Sequence, residues 1–156
     1  MRPKPMDTRT PSIRPARRGV AVLVAAGCAI VVAFQVALTL GAPLGAAALG
    51  GANTGELPGE LRVVTAGSAI VWFAFSLVAL ARGNVAIASL PRAVAWWGTW
   101  VLVCILGVGV LVNFASSSVW ERFGWGPFSL VLCTLCLVLA SSGFVEQPPR
   151  PPLDGT

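Results

Sequence analysis

Histidine and tyrosine are absent from the 156 residues, and lysine occurs once, as Lys4. Without an imidazole the chain cannot build a His-ligated haem or zinc site, nor a Ser-His-Asp or Cys-His nucleophile. Charge is scarce as well. Only 11% of residues are charged, whereas a soluble domain carries roughly 25%, so the chain lacks the charge to cover a water-facing surface. Hydrophobic residues make up 56%, the composition of a membrane protein of one domain.

Four uncharged apolar runs follow one another: Val20 to Leu40, Val63 to Ala81, Ala93 to Val112 and Phe128 to Val145. Each is close to the roughly 20 residues that a helix needs to cross a bilayer core. None shows the period-2 alternation of a barrel strand, so the runs predict helices, whose backbone groups are satisfied internally. The expected fold is all-α, a four-helix transmembrane bundle over 19–145 with a polar exoplasmic loop cap. The flanking segments 1–18, basic, and 146–156, Pro-rich, read as disordered cytoplasmic tails. Arg17-Arg18 ahead of the first run and Ala46-Ala47-Ala48 after it mimic a secretory or twin-arginine signal. The run exceeds a signal core of about 7 to 15 residues and is expected to stay as an anchor.

The net charge of +5 is not a nucleic-acid signature, because no aromatic residue interleaves with the basic ones. Nine of the eleven Lys and Arg residues lie in the N-terminal tail, the Arg82 to Arg92 loop and the C-terminal tail. The positive-inside rule then puts both termini in the cytoplasm and the Gly41 to Arg62 and Asn113 to Pro127 segments outside. Preference for Arg over Lys, with abundant Ala, Gly and Pro, is the usage of a high-GC bacterial genome, which places the chain in a bacterial inner (plasma) membrane as a multi-pass protein. Pro-Pro-Arg-Pro-Pro at 148–152 could dock on a polyproline-binding domain, though a solvated stub explains it as well.

The uncharged runs hold no ionisable carboxylate or base, which argues against an ion pump or secondary transporter. Their polar groups gather toward the outer leaflet. Gln35 lies within the first run and needs a partner there; Asn113 closes the third. With Arg62, Ser116, Glu121 and Arg122 they form the candidate exoplasmic polar cluster, in which Arg62 is expected to tie the first outer loop to Glu121 by a bidentate pair. Small residues recur every fourth position through Ala21, Ala25, Ala29, Ala33, Ala37 and Gly41, a stripe expected to pack a second helix closely, within the chain or in a homo-oligomer. Trp96, Trp97, Trp100, Trp120 and Trp125 sit at run ends and read as interfacial belts. Cys133 and Cys136 form a C-x-x-C in the fourth run. That spacing suits a thiol-disulfide exchange linked to a quinone, but neither outer loop has the further cysteine that such a relay uses, and small apolar packing is the favoured reading. No metal set and no cofactor motif occurs.

The pieces Gly41-Ala42-Pro43-x-Gly45, Gly50-Gly51, Leu57-Pro58-x-x-Leu61-Arg62 and Asn113-x-Ala115-Ser116-x-Ser118-x-x-Glu121-Arg122, in this order over Phe34 to Pro127, resemble an uncharacterised family of small bacterial four-helix integral membrane proteins. The resemblance implies that the outer loops are the characteristic part, and members often carry an aromatic where Leu49 stands. It implies no activity. The favoured function is a small binding or interaction module using its exoplasmic loops, in contact with the lipid bilayer and with a membrane-protein partner or a second copy. A quinone-linked oxidoreductase through Cys133 and Cys136, or a passive assembly subunit, is the alternative.

Overall fold

The structure is a computed structural model that describes residues 13–85 and 87–143. The predicted tails 1–12 and 144–156, with the 148–152 proline motif, lie outside the described residues. Four helices, α1 (Ile13–Thr39), α2 (Gly59–Arg82), α3 (Arg92–Ala115) and α4 (Gly126–Ser141), form an antiparallel all-α bundle. All four contain stretches long and apolar enough to cross a membrane. α1 packs along α2 and α3 along α4, and the two pairs meet through α2 with α3 and α1 with α4.

The helices outrun the uncharged stretches by about a turn at several ends. α1 begins at Ile13, inside the expected tail, and α2 takes in Glu60 and Arg62. α3 continues past Val112 to include Asn113. Charge marks where lipid stops, whereas a helix stops where its last carbonyls find other donors. α1 ends in such a place: the Gly41 amide donates to Leu38 O and the Ala42 amide to Ala37 O. This Schellman geometry requires the left-handed φ of +91° that Gly41 supplies.

The core at mid-height is formed by Val24, Cys28, Leu102, Leu106, Leu132 and Cys136. The small-residue stripe only partly joins it. Ala21 and Ala25 are buried, but Ala29 and Ala33 are exposed. Steps of four residues overshoot the 3.6-residue turn by about 40° each, so the stripe rotates off the buried face. The closest approaches use other positions. A Cβ on Gly83 would lie 2.2 Å from that of Ala21, and one on Gly27 would lie 2.5 Å from Leu132 Cδ1.

At the end of the bundle that gathers the start of α1 and the ends of α2 and α4, Arg82 is the last residue of α2 rather than a loop residue, and it is 1% exposed. Its guanidinium donates to Ala140 O at 2.9 Å and to Ser142 O. Arg17 from α1 donates to Gly143 O and to the Arg82 carbonyl. Two arginines thus satisfy the C-terminal carbonyls of α2 and α4, where the helix dipoles favour positive charge.

Candidate functional site

The opposite end is closed by a cap. The connection between α1 and α2 folds back over the bundle through two short 3₁₀ turns, Gly45–Ala47 and Leu49–Gly51. Leu38, Ala48 and Leu57 form a small apolar core beneath it. The connection between α3 and α4 meets it edge to edge. Ser118 Oγ donates to Ala46 O at 2.7 Å, Trp125 Nε1 to Ala47 O at 3.1 Å, and the Gly50 amide to Glu121 Oε1 at 2.9 Å. Ser117 Oγ adds a more exposed bond to Gly50 O. One loop contributes main-chain groups to this seam and the other side chains.

The second half of the seam depends on a local irregularity. Residues Glu121–Trp125 form a π turn that leads into α4, with the Gly126 amide bonded to Glu121 O. Pro127 follows at the first turn of α4. Proline lacks an amide and crowds the carbonyl one turn back, and a wide turn accommodates both. Glu121 is turned inward to 6% exposure while Arg122 and Phe123 stay outside. The fourth helix therefore begins well before the expected Phe128.

Under the cap lies a chamber of about 240 Å³. Gln35, Thr65, Asn113, Glu121 and Ser129 supply its polar lining. The aromatic walls are Phe34, Trp72, Trp125 and Phe128, with Trp125 packed on Phe34 at 4.7 Å and on Phe128 at 5.4 Å between ring centroids. Leu38, Leu106 and Leu132 are among its apolar lining. Asn113 Nδ2 donates to Ser129 Oγ at 3.0 Å, whereas the buried Gln35 Oε1 meets no hydrogen-bond donor among the described residues.

Of the six candidate polar residues, Gln35, Asn113 and Glu121 share this chamber and the other three do not line it. Arg122 reaches back along its own loop to Ser116 O at 2.7 Å on the exposed rim. Arg62 does not pair with Glu121. Its Nε donates to Thr39 O at 2.9 Å across the end of α1, beside a Thr39 to Thr65 hydroxyl contact of 2.9 Å. A helix C-terminus already offers Arg62 an acceptor with partial negative charge, and Glu121 takes the Gly50 amide instead. Trp125 is likewise not a belt residue, since its ring is half-buried and its N–H is spent on the cap. Nothing in the sequence distinguished Trp125 from Trp120, which is exposed; the distinguishing signal is the four-residue spacing from Glu121, which puts the two on one side of a helical turn.

Cys133 and Cys136 are free thiols facing α3, with sulfur atoms 3.8 Å from Val103 O and 3.7 Å from Thr99 O. Neither lines the chamber. No group of three or more His, Cys, Asp or Glu side chains that could hold a metal ion occurs among the described residues. Compared with family models, curated proteins and solved structures, the chain matches none.

Proposed function

We propose that this chain is a membrane binding module whose capped chamber takes a small amphiphilic molecule, with its polar end at Glu121, Gln35 and Asn113 and its apolar body among the aromatic walls. The observation that carries the reading is the polar and apolar division of a single enclosed space. Ligand sites are mostly apolar concavities with a few placed polar groups. The cap supports it: a loop bound through its own main chain holds Glu121 in position, which a bundle requiring only lipid solubility does not need.

Gly109 provides the test. It lines the chamber from mid-α3, and a Cβ there would meet no atom within 4 Å. Gly109→Leu is expected to fill the chamber while keeping or raising the unfolding midpoint, since a helix-interior glycine costs roughly 0.5–1 kcal/mol. A shape-matched heavy-atom quencher, 4-bromobenzyl alcohol, should quench tryptophan fluorescence saturably in the wild type and lose at least about tenfold in apparent affinity in the variant. Equal titrations of the two proteins would remove the chamber from consideration.

The placement of the cap outside a bacterial inner membrane, with both termini inside, belongs to the same proposal and rests on the basic-residue count. Single cysteines at Asn53 and Ala88, in a background lacking the other four, should respond oppositely to an impermeant maleimide added to intact cells. Residue 53 should label and residue 88 should not. The reverse pattern would invert the orientation.

A further inference from the structure

The ligand's polar end can be specified further, on the assumption that the chamber is a binding site. Glu121 presents a carboxylate whose only hydrogen bond among the described residues is one amide, from Gly50. No arginine or lysine lines the chamber: Arg62 is held on Thr39 O and Arg122 on Ser116 O. Gln35 Oε1 is a second buried acceptor without a donor. The walls are four aromatic rings, whose faces carry negative quadrupole potential and attract cations when water is excluded. Each feature calls for a donor, and two of them call for positive charge. A carboxylate ligand would meet Glu121 with like charge, and a ligand bearing only acceptors would leave both protein acceptors unsatisfied.

We infer that the chamber binds an organic ammonium: a protonated amine with an apolar, flat body small enough for about 240 Å³, its N–H groups on Glu121 and Gln35 and its body between the rings of Phe34, Trp72 and Trp125. The same head chemistry is found in a free amine and in the ethanolamine headgroup of a phospholipid. The chamber's size favours the free amine, and the experiment separates the two.

The test uses the full chain in dodecyl maltoside, a neutral detergent without ammonium, and three probes of one shape: 4-bromobenzylamine, 4-bromobenzyl alcohol and 4-bromobenzoate. Bromine quenches the tryptophans in the walls, and Gly109→Leu supplies the background for partition into the micelle. The amine is expected to saturate at a concentration at least about tenfold below the alcohol, and the acid to give only background quenching. Glu121→Gln keeps an oxygen for the Gly50 amide and should bring the amine down to the alcohol's affinity. If that variant does not fold, the ranking of the three probes on the wild type still decides. Competition by added phosphatidylethanolamine would assign the ammonium to a lipid headgroup, and lack of competition to a free amine. Equal affinities for amine and alcohol would overturn the ammonium and leave the chamber standing. Loss of any saturable signal that Gly109→Leu removes would overturn both.

Discussion

Replacing Arg82 by leucine is expected to lower the stability of the bundle by about 3 kcal/mol, seen as a lower unfolding midpoint in detergent. The argument is one of accounting for polar groups. Arg82 is 1% exposed and gives hydrogen bonds to Ala140 O and Ser142 O at the end of α4, while its own carbonyl receives Arg17. Leucine fills much of the volume but donates nothing, and hydrogen bonds to a charged group are worth roughly 1.5–3 kcal/mol each. Lysine should recover part of the loss, because a single ammonium cannot reproduce the planar fork. A leucine variant that unfolds at the wild-type midpoint would show that water replaces the guanidinium and that the α2 and α4 ends are held by other contacts.

A change of similar size is expected at the other end. Gly51 has φ +73°, and a Cβ there would stand 2.8 Å from Ser118 Cβ and 3.1 Å from Ala46 O. A left-handed conformation costs a branched residue roughly 1–2 kcal/mol, and overpacking against a fixed neighbour adds ~1–3 kcal/mol. Gly51→Val should therefore open the seam rather than be absorbed by it. The Ser118 to Ala46 and Gly50 to Glu121 bonds flank this residue and should go together. A cysteine at the buried Ala48 reports the outcome: its maleimide labelling should accelerate at least about tenfold in the valine background, and quenching by the brominated probes should fall to the Gly109→Leu level. Unchanged labelling would mean that the cap is held from below, by Leu38 and Leu57, and not by its edge.

How much of this was legible beforehand depended on the kind of signal. The four helices were, since uncharged runs of that length leave a chain few other options. Gln35 and Asn113 were legible as a layer because an amide inside an apolar run needs a partner, and the structure sets both on one chamber. Arg82 was misplaced into a loop because charge counting assigns every arginine to water, whereas this one is buried by the carbonyls of two helix ends. The Arg62 and Glu121 pairing failed for a related reason: side-chain charges were matched to each other, and main-chain groups at Thr39 and Gly50 were the nearer partners. The alanine stripe misled because its period is 4 and not 3.6. The role of Trp125 was hidden, since a tryptophan at a span end has the same local sequence whether it faces lipid or the bundle.

The π turn before α4 also makes chain length a determinant of the site. Such a turn is an α-helix carrying one residue more than its span requires, the surplus lying between Glu121 and Trp125. Loss of a single residue there would let the segment close to a regular α-helix. Everything from Gly126 onward would keep its seat against α1 and α3, yet Glu121 would swing by about 100° around the axis relative to those residues. The aim of the carboxylate into the chamber is thus written in the number of residues in the turn as much as in their identity. A one-residue deletion could silence the site while leaving the membrane-spanning frame intact.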